Sequence, residues 1–117
     1  MRILLQLCLF LFLISCSDDP NDDTNLDAKF IVIDFVNGVH SGDSHKSTIN
    51  YSVENIGADA IESYDVFFKL TQFDGVITTQ THQGGFIGVG KTRYETVLFL
   101  HLSDAVETVT VEDFALR

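Results

Sequence analysis

Between Tyr64 and Leu70 the chain reads YDVFFKL, with Tyr64, Val66, Phe68 and Leu70 at every second position and Asp65 and Lys69 between them. A period of two is the pattern of a strand with one face buried, and a helix would need a period near 3.6. The same period runs through TINYSVEN, which turns Ile49, Tyr51 and Val53 inward and Thr48, Asn50 and Ser52 outward. FIVIDFV, residues 30–36, is a β-branched and aromatic strand that places Ile31, Ile33 and Phe35 on one face. In TRYETVLFLHL, residues 92–102, alternation selects Tyr94, Thr96, Leu98 and Leu100 as the inward set, and ETVTVEDFALR, residues 107–117, supplies a last strand. The Asp74-Gly75 dipeptide is a hairpin signal leading into VITTQT. The segments NGVHSGDSHKS, IGAD and HQGGFIGVGK read as connections rich in turn residues. No helical stripe of ten or more residues interrupts this series, so the fold class expected is all-β, a small antiparallel sandwich.

The N-terminus obeys a different logic. MRILLQLCLFLFLIS begins with Arg2 and continues as an apolar run from Ile3 to Ile14 broken by Gln6. A membrane-spanning helix needs about 20 apolar residues, so this run has the length of a signal-peptide core instead. The LISC stretch that ends the run, Leu13 to Cys16, resembles the lipobox of bacterial lipoproteins. The resemblance implies a leader over residues 1–15, cleavage before Cys16, and acylation of the Cys16 sulfur and of its new amino group. One acyl chain holds a protein reversibly, at about 0.8 kcal/mol per buried methylene, and two or more hold it stably. SDDPNDD follows, and Ser17, Asp18 and Asp19 resemble the surface-export signal of Bacteroidetes-type lipoproteins. The implied location is the outer membrane, lipid-anchored and displayed at the cell surface, with the periplasmic face as the alternative.

Residues 16–28 then form the lipidated cysteine and an acidic linker, and residues 29–117 form the folded domain. As a flexible coil the linker would reach roughly 17–21 Å. Cys8 would leave with the leader and Cys16 would carry lipid, so the domain has neither a disulfide nor a cysteine-ligated metal and must fold on its hydrophobic core alone. The formal charge of −10, with 7 Lys and Arg against 17 Asp and Glu, lacks the basic surface that displaces counterions from phosphates and argues against a nucleic-acid partner. The same balance disfavours adsorption to anionic headgroups.

The stretch INYSVENIGADAIESYDVFFKLTQFDGVITTQ is similar to the core of immunoglobulin-like bacterial modules, such as adhesion-related and FxLYD-type domains. Val53, Asn55 and Gly57 fill a Val-x-Asn-x-Gly strand ending, Asp74 and Gly75 a turn, and Val89 and Gly90 a later apolar-Gly element. The resemblance implies an immunoglobulin-like sandwich of about six or seven strands, its final strand missing or fused into residues 106–116. It also implies a non-catalytic role in spacing, adhesion or docking.

Chemistry is sparse. His40, Asp43 and His45 share one polar segment and could contribute to a metal site, but a third or fourth ligand from His82 or His101 would be required; the expectation is no metal and no cofactor. The DDPNDD run lacks the ligand spacing and turn glycine of an EF-hand loop. GGFIGVG lacks the Lys-Ser/Thr ending and the following helix of a phosphate loop. No nucleophile elbow or zinc-protease motif occurs. Phe67 is the one aromatic in the outward row Ser63, Asp65, Phe67, Lys69, and it is a candidate contact residue. The expected function is a membrane-anchored binding or structural module with an unknown protein or glycan partner, an accessory subunit of a surface complex. The alternative is a small periplasmic enzyme or enzyme inhibitor on the same lipid anchor.

Overall fold

The computed structural model describes residues 25–117. The leader, Cys16, Ser17, Asp18 and Asp19 lie outside the described residues. Six strands follow in order: β1 (Ala28–Ser41), β2 (Ser44–Asn55), β3 (Tyr64–Gln72), β4 (Ile77–Gly84), β5 (Thr92–Leu102) and β6 (Val106–Leu116). They form two three-stranded antiparallel sheets, β1-β2-β5 and β4-β3-β6. The first, second and fifth strands share one sheet and the third, fourth and sixth the other. This is immunoglobulin-like connectivity, with no strand after β6 among the described residues.

The inner faces of β2 and β3 carry the core. Ile49, Tyr51 and Val53 meet Tyr64, Val66, Phe68 and Leu70, and all are fully buried. Both strands are central, so ladders on either side hold their alternation in phase. The DG turn forms as its sequence requires: Gly75 has φ 87° and donates to the Gln72 carbonyl at 3.0 Å, while Gln72 N donates to the Val76 carbonyl.

The edge strands depart from the simple period. In β1 the register slips between Val32 and Asp34, which inserts Ile33 as a bulge. A bulge reverses the parity of the residues beyond it. Ile31, Ile33 and Phe35 therefore do not share a face: Phe30, Val32 and Phe35 turn inward, and Ile31 and Ile33 face solvent. In β5 the inward residues are Val97 and Phe99, paired with Ile49 and Ser47, whereas Tyr94 and Leu98 are exposed. The expected inward set of Tyr94, Thr96, Leu98 and Leu100 is thus replaced by its neighbours. Both parities of this strand are apolar, and the register with β2 decides between them. The 37–47 segment is a hairpin and not an open loop. Its two-residue turn places Gly42, φ 55°, at the first central position, where a hairpin turn accepts glycine readily.

The Val53-x-Asn55-x-Gly57 ending has a structural cause. Asn55 is buried, its amide nitrogen donates to the Asp59 and Ile87 carbonyls at 2.9 and 3.0 Å, and its side-chain oxygen accepts from Gly57 N. Gly57 lies under the incoming chain, where an added Cβ would stand 2.1 Å from the Asn25 carbonyl oxygen. Among the described residues, the stretch whose composition reads as linker already bonds to the domain: Asn25 N donates to Asp59 and Ile56 N donates to the Asp27 carbonyl.

Phe68 and Phe67 provide the sharpest check on this packing. Phe68 meets Tyr51 and Phe99 edge-on at 5.2 and 6.2 Å, so Phe68→Ala should cost about 3–5 kcal/mol. Phe67 is half-buried on the outer face, and Phe67→Ala should cost about 1 kcal/mol. Urea melts of the two variants measure the difference, and equal losses would refute the inner and outer assignment.

Candidate functional site

The two outer faces of the sandwich differ in chemistry. On the β4-β3-β6 face, Phe67 stands between Thr81 of β4 and Asp113 of β6, with Asp65, Lys69, Thr79 and Thr110 around it. Arg117 Nη1 donates to Asp65 Oδ2 at 3.0 Å, and this hydrogen bond holds the Asp65 carboxyl below the usual carboxylate range. Phe67 thus projects outward as its place in the alternation predicts, into a polar setting.

The β1-β2-β5 face is the more apolar. Ile31, Ser52 and Tyr94 form one cross-strand row, and Val36, Thr48 and Leu98 another. Between them runs a polar row in which Asn50 donates to Asp34 and Thr96 donates to Asn50. Ile33 adds its side chain at the bulge. Tyr94 is 74% exposed and Val36 61%. Apolar side chains grouped on one sheet face mark contact surfaces more often than singly scattered ones do. Simple alternation in β5 turns Tyr94 and Leu98 inward and so hides this face. The available signal was FIVIDFV itself, a run apolar on both parities.

A third feature lies between the sheets on the β4 and β5 side. The inward row of β4 is Thr78, Gln80, His82 and Gly84, opposite the inward β3 row of Leu70, Phe68, Val66 and Tyr64. Tyr51 OH lies 2.7 Å from Tyr64 OH and 2.7 Å from His82 Nδ1. The chain of protons closes either way: Tyr64 donates to Tyr51 and Tyr51 to His82, or His82 donates to Tyr51 and Tyr51 to Tyr64. Gly84 makes room for it, because a Cβ there would stand 2.0 Å from the Tyr64 ring. Burial raises both phenols above their ordinary value of 10.0, and for Tyr51 the hydrogen bond with Tyr64 adds to the shift. The two phenols stay protonated at neutral pH, and their hydrogen bond clamps one sheet to the other.

The remaining polar candidates do not converge. His40 meets His101 with ring centroids 5.2 Å apart, while His82 is bonded to Tyr51. Among the described residues no group of three or more His, Cys, Asp or Glu is placed to hold a metal ion. An open depression lies where Asn25–Asp27 cross Ile56–Ala58, at the N-terminal crossing already described. No family model, characterised protein or solved structure matches the chain.

The phenol pair has a pH signature. A raised phenol pKa contributes stability that is intact below the ordinary value of 10.0 and is lost as pH rises above it, because unfolding releases a proton the fold retains. Each such tyrosine should steepen the alkaline loss by about 1.4 kcal/mol per pH unit. Tyr51→Phe should remove one such contribution, giving a shallower decline above pH 10 in thermal melts. Parallel decline in the two proteins would show that Tyr51 titrates as an ordinary phenol.

Proposed function

We propose that the protein is a lipoprotein held through Cys16 on the outer membrane and displayed at the cell surface by the signal at Ser17, Asp18 and Asp19. There it works as a non-catalytic binding module, an accessory subunit of a surface complex. The observation that carries the binding role is the outer face of β1-β2-β5, where Ile31, Ile33, Val36, Tyr94 and Leu98 lie open to solvent around the Asp34-Asn50-Thr96 polar row. The face is built on three paired strands. Its chemistry suits a broad partner, protein or glycan, that covers the apolar rows and exchanges hydrogen bonds with the polar one. The anchor reading rests on LISC and the acids behind it.

The anchor and the face are tested separately. Cys16→Ala should abolish incorporation of labelled fatty acid and leave the unprocessed chain. Asp18→Ala with Asp19→Ala should preserve the lipid but reduce cleavage by protease added to intact cells. Normal lipid labelling of Cys16→Ala would end the lipoprotein reading, and unchanged protease access in the double variant would reduce the acids to a spacer. Ile33→Lys with Leu98→Lys changes only exposed side chains, so stability should move by no more than about 0.5 kcal/mol per site. A native complex extracted from membranes in mild detergent should lose its partner in this variant. An unchanged complex would place the contact elsewhere.

A further inference from the structure

The two open sides of the sandwich are finished differently. On the β4 and β5 side the half-buried inward residues are mostly polar, Thr78, Gln80 and His82 of β4 and Glu95 of β5, with Val97 the apolar member. Gln80, His82 and Glu95 can meet water there, whereas Thr78 Oγ1 is buried with no hydrogen-bond partner among the described residues. On the β1 and β6 side the half-buried inward residues are Phe30, Val32 and Phe35 of β1 and Val109, Val111 and Leu116 of β6, with Phe114 more exposed still. The two strands touch near their ends. Asn37 of β1 bonds both the N–H and the C=O of Val106, and Phe30 stacks on Phe114 at 4.9 Å. Between these points the apolar seam is only partly covered.

The backbone of β6 is open along the same line. Ser63 and Arg117 exchange both hydrogen bonds, so the pairs Asp65 with Ala115 and Phe67 with Asp113 continue that ladder. Leu116 and Phe114 then turn their N–H and C=O away from β3. Beyond the bulge at Glu112, Val111 and Val109 do the same opposite Phe68 and Leu70. The Phe114 N–H is occupied by the neighbouring Asp113 carboxylate. At Val106 the Asn37 amide already imitates a pairing strand on this edge.

We propose that the β6 edge accepts an extended segment of another polypeptide as a seventh strand, one with apolar residues at alternate positions and lysine or arginine between them. Backbone pairing along residues 109–116 gives a strand of about eight residues, near 27 Å. Its apolar side chains would cover the seam between β1 and β6. The charge requirement comes from the edge itself. Both register slips of β6 add an acid, Glu107 and Glu112, beside Asp113. A second copy of β6 would bring like charges together, and the 17–24 stretch, with Asp18, Asp19, Asp22 and Asp23 and no apolar residue besides Pro20, has neither the charge nor the side chains to fill the seam. This proposal does not depend on where the protein is anchored.

The test uses the full-length chain in mild detergent and a nine-residue peptide alternating valine with lysine. Amide hydrogen exchange should slow by about tenfold or more over residues 109–116 when the peptide is added. Glu107→Lys with Glu112→Lys should abolish the protection while leaving the melting temperature unchanged. The same peptide N-methylated at alternate residues keeps its side chains but loses its donors, and it should give no protection. Three results would each overturn the proposal: no slowing over 109–116, equal slowing by the N-methylated peptide, or slowing that rises with protein concentration in the absence of peptide, which would assign the edge to a second copy.

Discussion

Three-stranded sheets leave only β2 and β3 with neighbours on both sides, and the molecule depends on the contact between them. Their inward rows, Ile49, Tyr51 and Val53 against Tyr64, Val66, Phe68 and Leu70, are fully buried. Two large tyrosines at the centre would strand two hydroxyls in the core, and a buried hydroxyl without a partner costs about 1–3 kcal/mol. The Tyr51 to Tyr64 hydrogen bond removes that cost and ties one sheet to the other. It also sets demands elsewhere. Gly84 must stay bare beneath the Tyr64 ring, and His82 must reach the second side of the Tyr51 hydroxyl. With no cysteine in residues 25–117, no covalent cross-link supplements this core.

From that centre outward, every other strand is an edge, and several devices handle these edges. Bulges interrupt β1 at Ile33 and β6 at Glu112, and bulges with charged residues make an edge a poor template for a copy of itself. Asn37 caps β6 at Val106 with a side-chain amide in place of a strand. Gln72, buried at the end of β3, accepts from Ser103 Oγ and Asp104 N and fixes the turn between β5 and β6. On the other side, His82 and Glu95 let the seam end in polar groups. The apolar stretch between β1 and β6 has no comparable finish. That contrast, more than the strand count, is why this edge reads as a place for one more strand.

The central strands were legible in the sequence because nothing disturbs their period: β2 and β3 carry no bulge between Thr48 and Asn55 or between Tyr64 and Gln72. The inward and outward residues of both follow from alternation alone, Phe67 and Phe68 included. The edge strands were less legible for a physical reason. One inserted residue at Ile33 reverses the face of everything beyond it, and FIVIDFV offers apolar residues to either face. TRYETVLFLHL has the same ambiguity, and only pairing with β2 places Val97 and Phe99 inside. His82 was overlooked as part of the core because β4 presents polar residues to both faces. Its signal was the glycine at 84, which has no turn to make inside a strand and is there for the close approach of a ring. The Asn55 and Gly57 positions were visible as a motif, but the long-range bond to Ile87 and the crossing of Asn25 that explain them were not.

The placement of Asn25 connects the core to the proposed role. The chain enters beside the turns at 55–59 and 85–91, and the Asn25 to Asp59 and Asp27 to Ile56 bonds fix that entry. The turns at 41–44 and 73–76 lie at the other end of strands such as the 12-residue β2, about 40 Å away. Nine Cα steps separate Cys16 from Asn25, a reach of at most about 32 Å. An anchor at Cys16 would therefore hold the entry end near the bilayer. The outer face of β1-β2-β5 and the β6 edge run along the length of the strands, so both would extend well beyond the reach of the tether. A partner could lie on the face, or pair with the edge, without displacing the anchor, which is the geometry an accessory subunit of a surface complex requires.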